Sequence, residues 1–175
     1  MRTLVIGGAA SGKSAFAEQL CLEHGGRRVY LATMEPGGAE AHARIERHRA
    51  LRAGKGFETV ERSVGLAALP NAQDATVLLE CLGTLAANEC FSPAGAGMAQ
   101  ALAAIDEGLR ALEESCENLV VVTNDVFADG ISYDPDTERY RAVLGQANAA
   151  LAARFERVYE VTCGIAAAVK GGEAA

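Results

Sequence analysis

The chain has 175 residues, 16 of them basic and 23 acidic, for a net charge of −7. That balance excludes nucleic acid as the main partner, because binding a phosphate backbone needs a net basic surface. Half of the residues are hydrophobic but only 5% are aromatic, which predicts one domain with a core rich in Leu, Val and Ala.

The first apolar segment, Leu4-Val5-Ile6, reads as a buried strand and runs into Gly7-Gly8-Ala9-Ala10-Ser11-Gly12-Lys13-Ser14. This is G-x-x-x-x-G-K-[ST], the phosphate-binding P-loop, with a helix expected over Ser14 to Leu20. The glycines let backbone N–H groups turn inward around a phosphate chain. Lys13 can reach the β- and γ-phosphates, and the Ser14 hydroxyl can hold Mg²⁺. Arg28 to Thr33 reads as a second strand, and a helical pattern runs from about Gly38 to Leu51. Phe57 to Glu61 and Thr76 to Glu80 are further strands. Met98, Leu102, Ile105, Leu109 and Leu112 repeat at helical spacing. Leu119 to Thr123 is the most apolar strand, followed by a long helix from about Thr137 to Phe155 with Tyr140, Leu144, Ala147 and Leu151 on one face. Val158 to Thr162 and Ile165 to Val169 close the chain as a hairpin turning at Cys163-Gly164. Gly37-Gly38, Ser92 to Gly97 and Ala128 to Pro135 are expected loops.

Alternating strands and helices with apolar strands predict an α/β fold, a P-loop NTPase-like single domain with a mostly parallel central sheet flanked by helices. The domain is expected over 1–170, with 171–175 a frayed tail. The ligand is expected at the carboxyl edge of the sheet. Cys21, Cys81, Cys90, Cys116 and Cys163 are odd in number and contain no Cys-x-x-Cys pair. They are expected to be small buried thiols in a reducing cytosol rather than a disulfide framework or zinc site. Met1-Arg2-Thr3 opens directly into the first strand, and no run of about 18 apolar residues occurs. A cytoplasmic chain with no membrane span is the expectation.

Three groups of residues could carry chemistry. Glu80 ends its strand, a place where an acidic residue can sit near a phosphate-bound metal; the alternative is a strand-end carboxylate facing solvent. Arg44, His48 and Arg52 are spaced i, i+4, i+8 and share one helix face. Flanking cations keep an imidazole neutral and nucleophilic, and the same arginines can clamp phosphate oxygens. His48 could then attack phosphorus, although a surface helix with a chance histidine accounts for the same pattern. His24 reads as a helix C-terminal residue, and His42 has no comparable setting. Thr123-Asn124-Asp125 lacks the lysine and spacing of the guanine-reading motif of GTPases and is expected to line a substrate pocket.

Together these segments resemble the adenosylcobinamide kinase/adenosylcobinamide-phosphate guanylyltransferase family of cobalamin biosynthesis. The resemblance rests on the P-loop, Leu31-Ala32-Thr33, Ala43-Arg44-Ile45-Glu46-Arg47-His48-Arg49, Thr59-Val60-Glu61, Leu78-Leu79-Glu80-Cys81 and Val122-Thr123-Asn124-Asp125-Val126. It implies that adenosylcobinamide is phosphorylated with ATP or GTP. GMP then passes from GTP through a covalent adduct on His48 to adenosylcobinamide phosphate, giving adenosylcobinamide-GDP and pyrophosphate. It implies nucleotide contacts at residues 7–14, Thr33, Met34, Glu35, Arg52, Glu61 and Glu80, with Mg²⁺ at Ser14 and Glu80. The implied partners are a corrinoid and nucleoside triphosphates, and the implied assembly is a homotrimer. A simple small-molecule kinase and a non-catalytic nucleotide-binding regulator remain the alternatives on the residues alone.

Overall fold

A computed structural model describes residues 1–35, 37, 43, 46, 49, 50, 52–127 and 129–171. The strands are β1 (Arg2–Gly7), β2 (Arg27–Ala32), β3 (Phe57–Glu61), β4 (Ala75–Leu79), β5 (Asn118–Asn124), β6 (Arg157–Thr162) and β7 (Ile165–Lys170). The helices are α1 (Lys13–Glu23), α2 (Leu82–Phe91), α3 (Ala101–Ser115) and α4 (Pro135–Arg154). Ala43, Glu46, Arg49, Ala50 and Arg52 are also helical. The sheet order is β3-β2-β4-β5-β1-β6-β7. β1 to β6 pair in parallel, and β7 returns antiparallel to β6.

The apolar strands are continuous because both faces of the sheet are covered. Leu4, Val77, Leu79, Leu119 and Val121 face one core with α2, α3 and α4. Val5, Leu78, Val120, Val122, Tyr159 and Val161 alternate to the other face, where Ala17 and Cys21 of α1 close the layer. Arg154 ties α4 to α3 through Asp106 and Glu113. The expected hairpin is present. Cys163 (φ 53°) and Gly164 (φ 81°) both take left-handed backbone, as a two-residue type I′ connection requires.

Three expectations change. The sequence reading places no helix at Leu82–Phe91, yet α2 fills it. Its segment is nearly uniformly small or apolar, so it carries no helical period, and Leu82, Leu85, Ala86, Glu89 and Cys90 are all buried. Even Glu89 points inward, where its carboxylate accepts the N–H groups of Gly65 (2.6 Å) and Ala96 (2.9 Å). Second, Met98 lies outside α3, because Gly97 (φ 78°) turns the chain before the helix starts. Third, four cysteines are buried but Cys163 is exposed at the hairpin turn. Burial raises the Cys21 thiol to about 12 and the Cys116 thiol to about 11.

Close packing has one testable weak point. A Cβ built on Gly108 of α3 would lie 2.3 Å from Leu66 Cβ and 2.7 Å from Leu66 O. Gly108→Ala gains about 1 kcal/mol of helix propensity but overpacks at a cost of roughly 1–3 kcal/mol. Because backbone as well as side chain must move, a net loss of about 1 kcal/mol is expected in urea unfolding. A variant as stable as the parent would show that the 62–74 segment yields freely.

Candidate active site

The P-loop leaves β1 at Gly7 and enters α1 at Lys13. Small residues are required here by close approach. A Cβ on Gly7 would lie 2.5 Å from Val161 O and 2.6 Å from Ser11 Oγ. Gly12 has φ +94°, and a Cβ there would meet Gly164 Cα at 3.0 Å. The loop is braced from both sides: Gly164 N donates to Ser11 O (2.8 Å), and Asp125 N donates to Gly7 O (3.1 Å). Lys13 is buried and its Nζ folds back over the loop onto Gly8 O at 2.9 Å.

The start of α1 is set up for an anion. Gly12 caps it without a side-chain hydrogen bond, and no acidic residue occupies its first turn. Its leading N–H groups and positive dipole end therefore face the loop with no carboxylate from the helix's own first turn. Ser11 Oγ is buried with no hydrogen-bond partner among the described residues. Ala9, Ala10, Gly12 and Ser14 are exposed along the same turn. An orphaned hydroxyl inside a ring of small residues is what a bound phosphate chain would satisfy.

A second cluster forms at the carboxyl ends of β2 and β4. Glu80 is only 9% exposed, so it is not the solvent-facing strand end of the alternative reading. Its Oε2 accepts the N–H of Thr33 at 3.0 Å. Thr33 is fully buried; its hydroxyl donates to Cys81 O (3.1 Å) and its carbonyl accepts from Asn88 Nδ2 (2.8 Å). Thr33 is thus a tie between strands with its own polar groups engaged. Glu35 Oε1 accepts the Ser92 hydroxyl (3.0 Å), and Met34 is half-buried beside it.

Tyr30 sits on β2 under the guanidinium of Arg52, whose Cζ is 3.4 Å from the ring centroid. Burial, then the Glu80 carboxylate, raise the Tyr30 hydroxyl well above the usual phenol range. Arg52 is 7% exposed and its Nη1 has no hydrogen-bond partner among the described residues. Arg49 pairs with Glu61 at 2.8 Å. Arg49 and Arg52 line a cavity of about 530 Å³ with Gly54, Gly56, Phe57 and Thr59. Arg44 and His48 lie outside the described residues, so their expected alignment with Arg52 is not described.

Sequence reasoning singled out the P-loop and Glu80 but not Tyr30, Arg49 and Asn88, which the structure sets against Arg52, Glu61 and Thr33. Tyr30 reads as one more strand residue, and Asn88 falls in the overlooked α2. A signal existed for Arg49 in the Arg-rich run itself. Thr123-Asn124-Asp125 is split by the structure. Thr123 is buried on Asn148 (2.7 Å), and Asn124 reaches Cys81 Sγ (3.5 Å). Asp125 is exposed and lines a separate cavity.

Glu80→Gln keeps an acceptor for Thr33 N while removing the charge. The apo melting profile is expected to stay within a few degrees of the parent, while turnover falls roughly tenfold or more, the loss for a hydrogen bond to a charged group. A large fall in apo stability with full activity would make Glu80 a structural residue.

A parallel sheet carrying a glycine-rich, lysine-bearing anion loop between its first strand and first helix defines a P-loop α/β nucleotide-binding protein. Residues 3–169 match the model of the family described as Cobinamide kinase / cobinamide phosphate guanyltransferase, and the chain belongs to that family. It is 35% identical over 186 residues to the bifunctional adenosylcobalamin biosynthesis protein CobU of Escherichia coli K12, covering 97% of this chain and 100% of that protein. It is 32% identical over 177 residues to CobP of Pseudomonas aeruginosa, of the same bifunctional description, covering 98% of each. The RadB recombinase crystal structure aligns over 91% of this chain and 73% of that one, with 17% identity and a TM-score of 0.42.

Proposed function

We propose that this chain performs both reactions of its family's name, phosphorylating adenosylcobinamide and then transferring GMP to the phosphate formed. The observation that carries the reading is the P-loop with its orphaned Ser11 hydroxyl, buried Lys13 and uncapped α1. In the kinase step the loop N–H groups and Lys13 hold the triphosphate of ATP or GTP in line with the acceptor hydroxyl. Phosphoryl transfer needs mainly this positioning and charge neutralisation.

In this proposal Mg²⁺ would be held by the Ser14 hydroxyl at the loop and the Glu80 carboxylate beyond β4. No group of three His, Cys, Asp or Glu side chains that could cage a metal exists among the described residues. The Ser14 hydroxyl and Glu80 carboxylate instead suit an ion whose other ligands are phosphate oxygens and water. Bound there, Mg²⁺ would neutralise charge on the phosphates. Thr33 holds the Glu80 carboxylate in place, and Arg52 over Tyr30 supplies positive charge nearby. Glu61, Met34 and Glu35 complete the nucleotide contacts of this proposal. Homotrimeric assembly and a cytoplasmic location belong to the same proposal; no helix among the described residues is long and apolar enough to cross a membrane.

The guanylyl step assigns the nucleophile to His48. Its imidazole attacks the α-phosphorus of GTP, pyrophosphate leaves, and the GMP passes to the corrinoid phosphate. Incubation with α-labelled GTP followed by denaturation tests this. Acid-labile, alkali-stable label on the protein is expected. ATP consumption dependent on the corrinoid, with no labelled protein, would leave a simple kinase.

A further inference from the structure

We infer that the cavity between the 125–133 loop and α4 is where the corrinoid acceptor binds for the kinase step, and that Asp125 receives the proton of its hydroxyl. The inference rests on the kinase reading above. It begins with position. β5 is the hydrogen-bonded neighbour of β1, with Asn124 opposite Gly7, and Asp125 N donates to Gly7 O at 3.1 Å. The chain therefore leaves the sheet beside the phosphate loop and at once lines a cavity of about 560 Å³ with Asp125, Val126, Tyr133, Tyr140 and Arg141. An acceptor seated there has its reach toward the end of a triphosphate held by the P-loop.

Its walls set Val126, Tyr133 and Tyr140 beside the polar Asp125, Asp129, Thr137 and Arg141, ring faces among groups that can meet the polar fringe of a corrinoid. Phe127, Ile131 and Tyr133 are 38%, 58% and 40% exposed, and all three lie on this one loop. Phe91, 54% exposed, packs on Tyr140, with ring centroids 6.3 Å apart. Tyr133 lines the cavity itself, while Phe127 and Ile131 add exposed apolar surface on the same loop, the kind of patch that marks a binding surface. The loop carrying them is held in place. Arg141 donates to the carbonyls of Val126 and Phe127 and pairs with Glu138 and Asp129, and its guanidinium stands 5.0 Å from the Tyr133 ring centroid. Tyr133 in turn donates to Asp129 at 2.6 Å. These side chains form a preset rim.

Asp125 stands where rim and phosphate loop meet. Its Oδ1 accepts the N–H of Phe127 at 3.2 Å, which fixes the carboxylate at the cavity wall. The acceptor hydroxyl gives its proton to this carboxylate as its oxygen bonds to the γ-phosphorus. The bond from that phosphorus to the β–γ bridging oxygen breaks, and the nucleoside diphosphate leaves with its electron pair. Asp125 then returns the proton to water. A positioned base of this kind contributes about 10²-fold or more.

The test uses the full chain, with dicyanocobinamide as the binding probe and corrinoid-dependent ADP release as the rate. Asp125→Asn keeps the acceptor for Phe127 N. It is expected to lower kcat about 100-fold, with dicyanocobinamide Kd and ATP-analogue Kd within about threefold of the parent. Tyr133→Ser is expected to weaken dicyanocobinamide binding tenfold or more, with the ATP-analogue Kd unchanged and the melting profile as control for folding. An Asp125→Asn enzyme at full kcat overturns the base assignment. A Tyr133→Ser variant that keeps the parent's dicyanocobinamide Kd overturns the cavity. A parent enzyme that releases no ADP with any cobinamide overturns the kinase reading instead, which is a separate result.

Discussion

Replacing His48 by asparagine is expected to abolish covalent GMP labelling and guanylyl transfer, and to leave triphosphate binding at the P-loop within about threefold of the parent. Asparagine keeps a polar side chain of similar size but offers no ring nitrogen to attack phosphorus. The kinase reaction should survive, because phosphoryl transfer from the P-loop to a hydroxyl passes through no histidine adduct. In the parent, labelling should fall as the pH drops through the range where imidazoles protonate, since the protonated ring has no lone pair to donate. Peptide mapping by mass spectrometry reads the result directly. GMP found on His24, His42 or a lysine, or an adduct that persists in His48→Asn, removes His48 from the mechanism.

The second large effect is expected at Lys13. Its Nζ lies on Gly8 O, directly over the loop that would carry the phosphates. A charge-assisted contact of this kind is worth roughly 1.5–3 kcal/mol, so Lys13→Ala should weaken ATP and GTP binding about 10- to 150-fold. Both activities depend on the held triphosphate, and both should fall together. Isothermal titration with a non-hydrolysable analogue provides the check. Unchanged affinity would place the triphosphate somewhere other than the P-loop. Comparing the two variants separates the chemistry: Lys13→Ala removes a shared grip, whereas His48→Asn removes one of two reactions.

The parts of this fold legible in the sequence are those with a period or a named turn. The P-loop, the strands around Val77 and Val120, and the Cys163-Gly164 hairpin each carry a local signal that depends on no distant residue. α2 was hidden because a helix buried on most sides has no polar face to set its phase. The same physics concealed much of the site. Thr33 reads as an ordinary strand-end residue until β4 places Glu80 against its N–H. Tyr30 acquires its role only because Arg52 stacks on it from a segment some twenty positions away. Glu80 was legible as a strand-end acid, but its burial follows from Thr33 and its neighbours across the sheet. The Arg-rich run shows the reverse case: its helical spacing is visible in sequence, yet Arg52 uses its charge over an aromatic ring rather than simply on an open face.

The bracing of the phosphate loop has a consequence for how the molecule comes off the ribosome. β1 sits between β5 and β6, and Ser11 O is held by Gly164 N. The partners of β1 and the loop are thus supplied about 115 to 155 positions later in the chain. At ordinary synthesis rates that is a wait of roughly 10–30 s. Until β6 and its hairpin are made, the Gly-Gly-Ala-Ala-Ser-Gly run lacks one flanking strand and the Gly164 brace, so a nascent chain carrying the whole motif should not yet hold a nucleotide. Triphosphate binding would then switch on sharply when the β6–β7 hairpin docks against β1, making the ligand a reporter of that docking rather than a template for it.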